Sequence, residues 1–144
     1  MKQDNRRRRR QAGVTLIEML VVVVIITLFA SYVGMRLWPQ ADKARVTAAK
    51  AQIGSFMSAL DTYKMDVGSF PTSEQGLAAL RARPAGVPQW GGPYLAKDIP
   101  MDPWGRPYIY RFPGQHSEDP EVISLGADGQ PGGEGINADI VSWQ

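Results

Sequence analysis

The chain of 144 residues has no cysteine and a single histidine, His116. The first absence excludes disulfide staples and thiolate chemistry, and it leaves the redox compartment open. His116 sits in a Pro-Gly loop with no serine, cysteine or paired acid at a recognisable spacing, so it reads as a structural or solvated ring rather than a catalytic one. A phosphate-binding loop of the Gly-x4-Gly-Lys-Ser/Thr kind is also missing. Energy for any assembly step must then come from another protein. No internal repeat is present, and nothing among these residues marks an enzyme.

What is there begins with an uneven charge. Formal net charge is +2, but residues 1–13 hold Lys2 and Arg6 to Arg10 against Asp4, which leaves ten basic and thirteen acidic side chains in residues 14–144. The basic pI of about 9.0 belongs to the first thirteen residues and is no argument for a nucleic-acid partner. Five arginines in a row suit phosphate backbones, but a basic run just before an apolar segment more simply holds that end in the cytoplasm.

The apolar segment runs from Val14 to Met35, interrupted by Thr15, Glu18, Thr27, Ser31 and Gly34, and stops at Arg36. Its 22 residues at 1.5 Å each span a bilayer core of about 30 Å. Ordinary signal cleavage is poorly served: at Leu28-Phe29-Ala30 the bulky Leu28 stands where a small residue is wanted, so the span is expected to be kept. The chain divides into a basic leader (1–13), a membrane helix (14–36) and one modest domain (37–144).

That domain opens with Val46, Ala49, Ile53, Phe56, Leu60, Tyr63 and Val67 at alternating steps of three and four, one apolar stripe along a helix. Asp42, Lys43, Arg45, Lys50, Asp61 and Lys64 fall mostly off the stripe. Gly68 to Pro71 ends the helix, and Thr72 with Gln75 fits a capping box that predicts a short helix over residues 73–82. Residues 84–103, rich in proline and glycine, carry Trp90 and Tyr94, with Trp104 just beyond, and predict a long ordered loop with aromatic anchors. Asp102-Pro103-Trp104-Gly105 fits a type I turn. Strands are predicted around Tyr108–Phe112, Glu121–Leu125 and Asp139–Trp143. The fold class is α+β, a long helix packed on a small antiparallel sheet.

Glu18 is the most informative residue, because a carboxylate inside an apolar span needs a partner. At mid-membrane an acid costs roughly 2.5 to 3.5 kcal/mol, less near an interface, and a residue so near the span's start can reach the headgroups. A cut between Gly13 and Val14 would change its role. Cleavage frees an ammonium at Val14, one helical turn from Glu18, and the amine of a neighbouring chain could supply the missing opposite charge. That is a physical basis for ordering subunits in a filament.

Gly13-Val14-Thr15-Leu16-Ile17-Glu18 resembles the leader junction of the type IV pilin and pseudopilin superfamily, with Gly13 before the cut and Glu18 at the family's glutamate. Val14 replaces the usual phenylalanine, and the resemblance implies its N-methylation. Where the family often has a glycine and then a proline along the helix, this chain has Thr27 and Met35, with Pro39 later, so any kink is expected to be displaced by about a turn. Further along, Asp61 to Asp66, Phe70-Pro71-Thr72 with Glu74-Gln75-Gly76-Leu77, Asp102 to Gly105, Pro113 to His116 and Ser124 to Gly129 are similar to the major pseudopilin of type II secretion. Each piece is weak alone; five in order are specific.

The resemblance implies a type IV pilin-like fold and an inner-membrane, single-pass subunit whose C-terminal domain lies in the periplasm. It implies polymerisation into a filament that helps export folded proteins across the outer membrane. The implied partners are other copies, minor pseudopilins, a prepilin peptidase and methylase, and an inner-membrane assembly platform with its ATPase. The alternative within the superfamily is a pilus pilin for adhesion, motility or DNA uptake, and the alternative outside it is an anchored module that never assembles. The lack of cysteine favours secretion, since many pilins close a C-terminal disulfide loop.

Residues 125–140 are rich in glycine and carry Asp128, Glu134, Asn137 and Asp139. Such a stretch can offer calcium its six to eight oxygens, several from carbonyls, or can simply be a solvated set of Asx turns. The resemblance implies a structural calcium here, with Asp128 and Asp139 as carboxylate ligands, Leu125 and Gln130 as carbonyl ligands, and Asn137 or a nearby carbonyl where some members have a second acid. It does not extend to Glu134. In a chain without disulfides such an ion would clamp the C-terminal loop onto the sheet.

Overall fold

The computed structural model describes residues 14–144, and of residues 35–39 only the backbone. Gly13 and the arginine run lie outside the described residues. The chain divides into two compact units, one ending at Pro39 and the other spanning Gln40–Gln144.

Helix α1 (Leu16–Val67) begins in the first unit and ends in the second, and helical backbone is assigned continuously past Thr27, Gly34 and Pro39. In the first unit, Leu16–Gly34 is long and apolar enough to cross a membrane, and among the described residues none of it is buried. Leu16, Ile17, Ile25, Leu28 and Phe29 are all exposed, although they point in different directions around the helix. A helix that is apolar on every side needs lipid or other helices around it. The Thr27 and Ser31 hydroxyls are satisfied locally: Thr27 Oγ1 donates to the Val23 carbonyl at 2.7 Å and Ser31 Oγ to that of Thr27 at 2.8 Å.

In the second unit the stripe is buried as its spacing predicts. Ala49, Ile53, Phe56, Leu60 and Tyr63 are buried, Val46 and Val67 partly so, while Lys43, Arg45, Lys50, Asp61 and Lys64 are exposed. Three short strands lie in the predicted places: β1 (Ile109–Arg111), β2 (Glu121–Ser124) and β3 (Ile140–Val141). They form an antiparallel sheet of order β1-β2-β3, with Tyr110 opposite Val122 and Ile123 opposite Val141. Middle strand β2 is buried at all four positions. Phe56 of α1 meets Tyr108, just before β1, edge to face at 5.1 Å.

The capping box at Thr72 forms in both directions. The Thr72 N–H donates to Gln75 Oε1 at 2.9 Å and the Gln75 N–H to Thr72 Oγ1 at 3.2 Å. The predicted helix over residues 73–82, however, is cut to turns and a 3-10 segment, Leu77–Leu80. Gly76, at φ 59°, takes the chain out of helical geometry after a single capped turn.

The loop after it is held by its aromatic residues. Trp90 Nε1 donates to the Ala79 carbonyl and the Tyr94 N–H to that of Leu80, both at 2.8 Å. Tyr94 also packs on Tyr63, and its hydroxyl donates to Asp66 of α1 at 2.9 Å. Loop, sheet and helix thus share one core.

Replacing Phe56, which is 0% exposed, with Ala should destabilise the folded unit by about 3 to 5 kcal/mol. Met65→Ala, at a position 83% exposed, should change it by less than about 0.5 kcal/mol. Denaturant titration of the full chain in detergent, followed by tryptophan fluorescence, measures both.

Candidate functional site

Two regions carry the residues singled out by the sequence. The first is the start of α1. Thr15 and Glu18 there form a second capping box, which the charge-based reading of Glu18 passes over although the Thr-x-x-Glu spacing is the same signal used at Thr72. The Glu18 N–H donates to Thr15 Oγ1 at 3.3 Å, and the Thr15 N–H donates to Glu18 Oε2 at 3.5 Å. The second contact is long, so it satisfies little of the carboxylate. Glu18 is therefore not wholly without a partner, but most of its acceptor capacity remains open, in the first turn where the helix dipole favours a negative charge. Val14 is exposed just before it.

The second region runs from Leu125 to Asp139. Glycines at positive φ, among them Gly126, Gly129, Gly132, Gly133 and Gly135, let the chain fold back on itself. The Ala127 N–H donates to the Ile136 carbonyl at 2.9 Å and the Asp139 N–H to that of Gly132 at 3.1 Å, which draws the two ends of the loop together. Asp128 Oδ1 accepts the Gln130 N–H at 3.0 Å, an Asx turn, and the Leu125 carbonyl accepts the Gly129 N–H at 3.2 Å. Asp139 Oδ2 accepts the Gly132 N–H at 2.9 Å. Its other oxygen is buried with no hydrogen-bond partner. Asn137 is exposed in a 3-10 turn, Gly135–Asn137.

A buried carboxylate oxygen without a donor is costly unless something positive meets it. Among the described residues no group of three or more acidic, histidine or cysteine side chains converges on a point. Any cation in this loop would rest on two carboxylates, Asp128 and Asp139, and on carbonyl oxygens such as those of Leu125 and Gln130. An all-oxygen set rich in carbonyls fits a hard cation of calcium size and does not fit zinc.

His116 has a paired acid that no sequence spacing reveals. Glu121, 1% exposed, accepts both the His116 N–H at 2.7 Å and Nδ1 of its ring at 2.8 Å. The imidazole lies flat on Trp143 at 4.2 Å. The β1–β2 connection folds back and so brings residue 116 beside residue 121. Burial pushes the Glu121 carboxyl up, but hydrogen bonds from His116 and Gln115 and the charge of the imidazole outweigh it and hold the group below its ordinary value. The pair ties the hairpin to the C-terminal tryptophan, a structural role.

A family model described as type II secretion system, protein G, matches residues 36–143, and the prokaryotic N-terminal methylation motif matches residues 8–33. The chain belongs to the protein G family. Type II secretion system core protein G of Pseudomonas aeruginosa is 45% identical over 119 residues, 81% of this chain and 83% of that protein. Its namesake in Vibrio cholerae is 43% identical, with 81% and 80% covered. The crystal structure of the major pseudopilin of enterohaemorrhagic Escherichia coli superposes with a TM-score of 0.59 at 36% identity, over 74% of this chain and 93% of that one. This member of the protein G family therefore has the pseudopilin fold: a long N-terminal helix and a small antiparallel sheet.

Because the folded Glu121 lies below its ordinary value of 4.5, its contribution to stability is present above about pH 4.5 and is lost as pH falls through the lower folded value. Acid unfolding of the full chain, followed by tryptophan fluorescence, should contain a step below pH 4.5 that Glu121→Gln removes. An unchanged acid profile in that variant would contradict the assignment.

Proposed function

We propose that the chain is the major structural subunit of a type II secretion pseudopilus. It is anchored in the bacterial inner membrane by Leu16–Gly34 with its folded unit in the periplasm, and it polymerises into a filament that helps export folded proteins. The observation that carries this reading is an apolar helix, unburied among the described residues, in a chain of the protein G family and with Glu18 in its first turn. Lipid covers such a helix in the subunit store, and neighbouring helices cover it in the polymer. Transfer between the two needs a polar register mark, and the partly open Glu18 carboxylate supplies one for the Val14 amine of an adjacent copy.

Cleavage after Gly13 by a prepilin peptidase, with methylation of Val14, creates that amine and removes the arginine run. Minor pseudopilins and an inner-membrane platform with its ATPase are the further partners of this reading. A pilus pilin is the second reading; the match of residues 36–143 to the secretion family favours the first.

The loop of residues 125–139 is assigned a structural calcium ion, held by Asp128, Asp139 and the carbonyls of Leu125 and Gln130, with Asn137 nearby. The buried Asp139 oxygen without a donor supports this assignment. When bound, the ion would neutralise both carboxylates and tie the loop to the start of β3.

In cells with a secretion system, Glu18→Ala should be cut at Val14 like the parent chain and yet give no filaments, by shearing and immunoblot. Normal filament yield would sink the assembly reading. For the loop, excess calcium at 100 times its Kd should stabilise the full chain by about 2.7 kcal/mol. Melting followed by tryptophan fluorescence should be higher in calcium than in chelator, and equal curves would rule the ion out.

A further inference from the structure

Arg106 lies outside the glycine-rich loop, directly after the Asp102–Gly105 turn, yet its side chain ends on the loop's backbone. Nη1 donates to the Gly126 carbonyl at 2.8 Å and Nη2 to that of Ala127 at 3.1 Å. These carbonyls directly follow Leu125 and precede Asp128, two of the assigned calcium ligands.

The backbone of Arg106 is held by a buried acid, which fixes the point from which the side chain reaches the loop. Asp102, 4% exposed, accepts the Arg106 N–H on Oδ1 at 2.8 Å, and its own N–H donates to the Arg106 carbonyl at 2.7 Å. Asp102 Oδ2 takes the Ser124 hydroxyl at 2.7 Å. One carboxylate thus fixes both the residue at which β2 enters the loop and the arginine that grips the loop's first turn. Gly129, at φ 68°, lies against the same side chain, and a Cβ there would stand 2.5 Å from Arg106 Nε. Two successive carbonyls are committed to Arg106, while that of Leu125 accepts an amide from within the loop.

We propose that Arg106 is a positioning residue for calcium binding. It withdraws the carbonyls of Gly126 and Ala127 from the ligand set and holds the backbone from Leu125 to Asp128 in binding geometry before the ion arrives. This rests on the calcium reading above. The planar fork suits the task, because it meets two adjacent carbonyl oxygens at once, which a single ammonium does less well. Without it, the turn must be ordered by the ion itself and affinity falls.

The test is calcium titration of the full-length chain in detergent by calorimetry, for the parent, Arg106→Lys and Arg106→Met, with melting in calcium and in chelator. Arg106→Met should bind at least tenfold more weakly, with Arg106→Lys between it and the parent and a smaller melting gap between the two conditions. If Arg106→Met melts lower by the same amount in both and keeps the parental Kd, Arg106 is merely structural and the proposal is overturned. Tighter binding overturns it as well, since repulsion between two cations would then dominate. Should Arg106→Met not fold, Arg106→Lys decides alone: a Kd weakened threefold or more supports the role, and a parental Kd refutes it. A parent chain that binds no calcium removes the calcium reading first and this proposal with it, an outcome distinct from equal Kd values.

Discussion

An apolar stripe on a helix must be covered, and that constraint organises this chain twice. In the second unit Ala49, Ile53, Phe56, Leu60 and Tyr63 are covered by later parts of the chain: Phe70, the 3-10 segment Leu77–Leu80, the aromatic loop and the sheet. At about 25 cal/mol per Å² of apolar surface removed from water, burying these five side chains is a large favourable contribution to folding. In the first unit the same helix is apolar on all sides and is not buried by the described residues. The uncovered half is where other molecules must come in, and membership of the protein G family says what kind of assembly results.

With no cysteine to cross-link the C-terminal half, carboxylates take over much of that work. Asp102 is fully used, by the amides of Trp104 and Arg106 and by the Ser124 hydroxyl. Glu121 fastens the hairpin to the end of the chain through His116 and Trp143, although only one of its oxygens is satisfied. Asp139 is likewise half satisfied. A buried acid stabilises only to the extent that donors meet it, and the same low dielectric that strengthens a satisfied bond makes an unmet oxygen expensive. Of the two half-met acids, Asp139 stands in the glycine-rich loop that also carries Asp128, a setting in which a cation would supply what donors do not.

Legibility in the sequence tracks the range of the interaction. Contacts within four or five residues set the stripe from Val46 to Val67, the box at Thr72, the turn at Asp102 and the alternation around Tyr108, and all of these can be read. Gly76 is readable in principle as a breaker, but the apolar spacing of Leu77 and Leu80 outweighs it. The pairing of His116 with Glu121 and the reach of Arg106 to residues 126 and 127 depend on how loops fold back, and no local period encodes that. The second capping box, at Thr15 and Glu18, is as legible as the first, but a carboxylate in an apolar run points to charge before it points to spacing.

That second box bears on how assembly works. A glutamate with no partner at all in its own chain would be driven to any cation it met, the cleaved neighbour's amine or a lipid headgroup alike. Glu18 instead has a weak local partner and a helix dipole behind it, so it can wait near the interface at modest cost. What a neighbouring amine adds is then the difference between that state and a full ion pair away from water, a difference that grows as surrounding helices exclude the headgroups. The proposed pairing would therefore strengthen once the apolar helices have packed. On the proposed reading, hydrophobic contact would bring subunits together and the carboxylate would select the register in which they stay.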